Sequence, residues 1–116
     1  MMCLTAPLVN RQLIWHLYSA QAYGIFHGDL DFYFGGWDGR SRMSQINTKK
    51  CPVFMLTGEY DWSNTPAMAQ KTADKIKGGK HKAMPELGHF PAMENPERFV
   101  PHLVVAIEWI QKTRQA

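Results

Sequence analysis

Cysteine is almost absent from this chain of 116 residues: Cys3 and Cys51 are the two it holds. Two are too few for a disulfide framework, which fits a reducing, cytoplasmic setting. No apolar run approaches the roughly 20 residues that a membrane-spanning helix needs, so no membrane partner is expected. The opening stretch, Met1 to Asn10, lacks the basic-then-apolar order of a signal peptide, again as expected of a cytoplasmic protein. Charge is modest: 13 Lys+Arg against 10 Asp+Glu leave a formal +3 and a pI of about 9.0. Lys71, Lys75, Lys77, Lys80 and Lys82 carry no interleaved aromatics, so they read as a solvated surface and not as a nucleic-acid footprint. His16, His27, His81 and His102 lack metal-ligand spacing, and neither a metal nor another cofactor is expected. Internal repeats and low-complexity segments are absent too.

What remains is a chain able to bury a core. It is 45% hydrophobic and 12% aromatic, and its length allows one domain at most. The composition changes near residue 47. Residues 1–37 hold eight of the 14 aromatics: Trp15, Tyr18, Tyr23, Phe26, Phe32, Tyr33, Phe34 and Trp37. Leu13, Leu17 and Ala20 with Trp15 and Tyr18 predict a short helix that is apolar on more than one side and needs cover on several faces. Glycines at 24, 28, 35 and 36 predict loop and bends after it. Asp38 to Ile46 predicts a polar helix, with Asp38 as N-cap and Met43 and Ile46 facing inward. Residues 1–46 are therefore read as an aromatic, cap-like helical segment and 47–116 as a second part.

In that second part the predicted order is strand, helix, strand, helix. Val53 to Leu56 is continuously apolar, which suits a parallel strand covered on both faces, and Pro52 stands at its start. Thr65-Pro66 opens the next helix as N-cap and first helical residue. Met68, Ala69, Thr72, Ala73 and Ile76 line its inner face, and Gly78-Gly79 stops it. His81 to Leu87 is the second strand. Asn95-Pro96-Glu97 starts a last helix whose inner stripe is Phe99, Leu103, Ala106, Ile107 and Ile110, with a kink or loosened first turn expected from Pro101. This βαβα order implies a right-handed crossover and two parallel strands in an α/β fold. In such sheets the chemistry gathers beyond the carboxyl ends of the strands. Asp61 and His89, 28 residues apart, both fall just past a strand end.

An acid and a histidine placed so are two thirds of a hydrolytic triad. A histidine with a pKa near 6.5 can take a proton from a nucleophile and return it to a leaving group. A carboxylate on its other ring nitrogen fixes the tautomer and stabilises the imidazolium. Asp61 is the favoured acid and Glu59 its alternative. Pro52 to Asp61, Thr65-Pro66, Gly88-His89-Phe90-Pro91 and Glu94-Asn95-Pro96-Glu97-Arg98-Phe99 together resemble the C-terminal third of an α/β-hydrolase. The resemblance covers residues 50–112 well, and more loosely likens residues 1–37 to the cap that this family inserts after its sixth strand. It implies a partial α/β-hydrolase fold with Asp61 and His89 as catalytic residues. It also implies hydrolysis of an ester or similar bond in a small apolar substrate, with Trp15, Phe34, Trp37, Trp62 and Phe90 as the substrate-binding aromatics.

The sequence departs from the family in one large respect. No Gly-x-Ser-x-Gly elbow, nor its Asp or Cys relative, occurs, and Ser19, Ser41, Ser44 and Ser63 all lack the flanking glycines. The family's first six strands and oxyanion-hole donors have no counterpart in these residues, so the isolated chain is expected to be inactive. Two partners are expected: the N-terminal part of the same hydrolase, or a second copy of the chain. The second follows from the unpaired edge that Val53–Leu56 would present without a sixth strand, and from the density of aromatics in residues 1–37. The alternative function is accordingly a non-catalytic, self-associating module with the hydrolase fold.

Overall fold

A computed structural model describes residues 6–19, 28, 30, 34–36 and 38–115. Strands β1 (Phe54–Gly58) and β2 (Lys80–Met84) pair in parallel, Phe54 opposite Lys80 and Gly58 opposite Met84. Helix α2 (Pro66–Asp74) connects them and packs on both. The short α3 (Pro91–Glu94) and long α4 (Pro96–Gln115) follow, while α1 (Leu8–Ser19) packs on α3. The expected strand–helix–strand–helix order is present, and the pair of parallel strands makes this a partial α/β fold. Among the described residues no helix is long and apolar enough to cross a membrane.

Local chemistry explains the element ends. Thr65 caps α2 by accepting the Met68 N–H at 3.3 Å, and Pro66 fills the position where a missing N–H is harmless. Ala69, Ala73 and Ile76 are buried beneath it, but Met68 is mostly exposed and does not join the inner face. The helix ends at Asp74, before the glycines expected to stop it. Ile76 donates to the Ala73 carbonyl, and Gly78, at φ +81°, turns the chain into β2. Strand β2 starts one residue earlier than expected and ends three earlier. Pro85 has no N–H to offer there, and Glu86 turns away at φ +56° with its N–H held by the Glu59 carboxylate.

Two of the expected helices need correction. Asp38 does not cap a polar helix over 38–46, where the structure has only a 3-10 turn at Met43–Gln45 with no buried residue. Its carboxylate instead takes the Arg40 backbone N–H and guanidinium at 2.7–3.0 Å, the local bonding by which aspartate competes with helix formation. The last helix is turned about its axis relative to the expected stripe. Ala106 is buried and Trp109 meets the Phe54 ring edge-on at 5.5 Å, while Leu103 and Ile107 are on the exposed side. The helix also continues through Pro101, and its first turn is held by Asn95, which accepts from Arg98 and Phe99. The short helix expected in residues 1–37 is present as α1, apolar on more than one side: Ile14 is buried, whereas Leu8, Val9, Leu13, Trp15 and Leu17 are exposed.

The core is correspondingly small, centred on Met84, Leu87, Ala73 and Ala106. The radius of gyration, 16.1 Å, exceeds the roughly 13 Å of a closed domain of about this length. Leu87 is completely enclosed, so Leu87→Ala should cost about 2–5 kcal/mol in a denaturant melt. Leu103→Ala, on the open side of α4, should cost far less.

Candidate active site

The site is assembled by the loops that leave the two strands. Beyond the ladder, the Glu59 N–H donates to the Met84 carbonyl at 2.9 Å and the Tyr60 N–H to the Leu87 carbonyl at 3.0 Å. These bonds carry the alignment of β1 and β2 into the segments that bear Asp61 and His89. Asp61 closes a tight turn on the Gly58 carbonyl and its side chain is buried. Gly58 is where the two segments cross. A Cβ there would lie 2.5 Å from the Leu87 carbonyl oxygen and nearer still to that of Gly88. Only glycine permits this approach.

The structure brings the expected pair together. Asp61 Oδ2 is 2.8 Å from His89 Nδ1. Its other oxygen, Oδ1, accepts the Ser63 N–H at 3.0 Å, the Ser63 hydroxyl at 2.9 Å and the Asn64 N–H at 2.9 Å. Burial alone would raise the Asp61 carboxyl. The Asn64 N–H, the His89 ring and the Ser63 hydroxyl outweigh burial and hold the carboxyl below its ordinary value. An ionised Asp61 only accepts, so the shared proton belongs to Nδ1, and in the neutral ring the lone pair is then on Nε2. Among the described residues Nε2 has no hydrogen-bond partner. The imidazole is oriented, partly exposed and open on the nitrogen that a general base uses.

Ser63 stands on the Asp61 side of the ring. Its hydroxyl is 3.2 Å from Nδ1, the nitrogen that carries the shared proton, and it donates to the carboxylate. Its role is to order the loop around Asp61. Glu59, the alternative acid, is exposed and occupied with the Glu86 N–H, which leaves Asp61 as the partner of His89. Of the aromatics, Phe90 meets the His89 ring edge-on at 4.8 Å and Trp62 is largely exposed next to Asp61. Trp15 and Phe34 are 65% and 83% exposed, and among the described residues no ring contact joins either to the imidazole. Trp37 lies outside the described residues. No cluster of three or more potential metal ligands occurs among those described.

Glu94 carries no role in the sequence pattern, and in the structure it binds the histidine loop. It is fully buried, and its two oxygens accept the N–H groups of Gly88 and Phe90, each at 2.9 Å. The sequence signal was an acid five residues past the histidine in a mostly apolar stretch.

No protein-family model matches the sequence, and no curated protein matches it significantly. Among solved structures the chain is similar to a thermophilic esterase from Thermogutta terrifontis, determined with malate bound, at 27% identity and a TM-score of 0.55. The structural neighbour is an esterase. The likeness covers 66% of this chain and 26% of the esterase, so the chain spans about a quarter of its neighbour's length. At this identity the neighbour supports a hydrolase-like reading of the chain.

Proposed function

We propose that this chain is the C-terminal part of an α/β-hydrolase that cleaves an ester or similar bond in a small apolar substrate. The observation that carries the reading is the 2.8 Å bond between Asp61 and His89 Nδ1 beyond the carboxyl ends of two parallel strands. The esterase likeness supports it. In the reaction, His89 Nε2 takes the proton of the nucleophile as its oxygen bonds to the substrate carbonyl carbon. Asp61 stabilises the imidazolium so formed. The same proton then passes to the departing alkoxide, and an acyl-enzyme remains for water to hydrolyse by the reverse proton path. The nucleophile and the oxyanion donors come from the N-terminal part of the hydrolase. Phe90, which meets the His89 ring, and Trp62, next to Asp61 in the chain, supply apolar surface for the substrate.

A second reading has its own support. The exposed apolar side chains of α1 and of Val100, Leu103, Val104 and Ile107 on α4 suit a surface that associates with a second copy. Among the described residues β1 also pairs on one edge only, and an open edge recruits strands. One experiment separates the readings. Hydrolysis of a short-chain p-nitrophenyl ester is measured with the chain alone and with a polypeptide supplying the nucleophile-bearing part, while sedimentation follows assembly. Activity only in the mixture supports the hydrolase. A homodimer without activity in either case supports the self-associating module.

A further inference from the structure

We infer that Glu94 is a positioning residue for His89, its carboxylate forking over the backbone on both sides of the imidazole; this rests on the reading of His89 as the acid–base group. A buried carboxylate is costly unless hydrogen bonds replace its water. Glu94 is fully enclosed, and it meets that requirement with Gly88 N–H on Oε2 and Phe90 N–H on Oε1. The two donors flank one residue, His89. A single bond would leave the loop free to pivot. Two bonds to the two ends of one planar group hold the Leu87–Gly88 and His89–Phe90 peptides, between which His89 sits, and so restrict the direction of its Cα–Cβ bond. The ring is then held at its far end by Asp61, and the imidazole is defined from both sides.

Glu94 is itself anchored. Its own N–H and that of Met93 donate to the Phe90 carbonyl, closing α3 back on the histidine loop. From α1, the Asn10 side chain donates to the Glu94 carbonyl at 3.0 Å. The clamp thus links the N-terminal helix to the orientation of His89. An amide in place of the carboxylate keeps the shape but turns an NH2 group toward one of the two N–H donors.

The test reads the His89 ring directly by 15N NMR of the whole chain. In the wild type the Nδ1-protonated tautomer should dominate, with a slowly exchanging Nδ1 proton. Glu94→Gln should lose that proton and drop the tautomer to about equal populations, while Ile76→Ala, a buried change in the turn after α2, leaves both signals as they were. Should Glu94→Gln not fold, Glu94→Asp takes its place, being one methylene short of spanning both donors. A folded variant with wild-type ring signals would overturn the inference and leave the hydrolase reading untouched. Loss of folding in both variants would also overturn it, since Glu94 would then be needed for the fold as a whole. A wild type without the protected Nδ1 proton would remove the hydrolase reading and this inference together.

Discussion

Gly58→Ala is expected to separate Asp61 from His89 and to destabilise the chain by at least the 1–3 kcal/mol typical of overpacking. The new methyl would meet two carbonyl oxygens, those of Leu87 and Gly88, and no flexible side chain that could turn aside. The Leu87–Gly88 peptide is not free to retreat: its carbonyl accepts from Tyr60, and its N–H, that of Gly88, is bound to the buried Glu94 carboxylate. Relief must therefore break a bond that aligns the two loops, and the Asp61–His89 contact depends on that alignment. Gly28→Ala is the matched control, because a Cβ there meets nothing within 4 Å. A denaturant melt gives the stability change, and the His89 Nδ1 proton reports the pair. If Gly58→Ala kept both at wild-type values, the crossing of the loops would not be what holds the site.

The parts of the fold legible in the sequence are those fixed by neighbours along the chain. Thr65-Pro66 caps α2 with its own side chain, and the apolar run before Asp61 makes a strand wherever it lies. The positions of Asp61 and His89 followed from these, since a residue just past a strand end has few places to go. What failed depended on contacts between elements. Leu103 and Ile107 satisfy helical spacing as well as Ala106 does, yet the sheet is met by Ala106 and by Trp109 against Phe54. Periodicity gives a stripe, and the partner surface chooses which edge of it is used. Asp38 had two local options, and the nearby Arg40 decided for the turn. Glu94 was invisible as a clamp because its donors are backbone N–H groups, which every residue nearby possesses.

The larger effect on chemistry is expected at Asp61. In the hydrolase completed with its nucleophile, Asp61→Asn should lower kcat by about 10⁴-fold with the backbone unchanged. The amide oxygen can still accept from Ser63 and Asn64, as Oδ1 does now. Its NH2 would then face His89 Nδ1 and call for a lone pair there, which moves the ring proton to Nε2, where the nucleophile needs a base. The isolated chain shows the same substitution through acid stability. Asp61 is held below its ordinary carboxyl value in the fold, so its ionised form is stabilising. That contribution is fully present above the unfolded carboxylate range and fades as pH falls through the lower folded value. Asp61→Asn should therefore be less stable at neutral pH and lose less on acidification, so that the two stability curves converge toward low pH. Parallel curves in urea melts taken at stepped pH would mean that the carboxylate is not bonded as described, and the reading of His89 as an oriented base would fall with it.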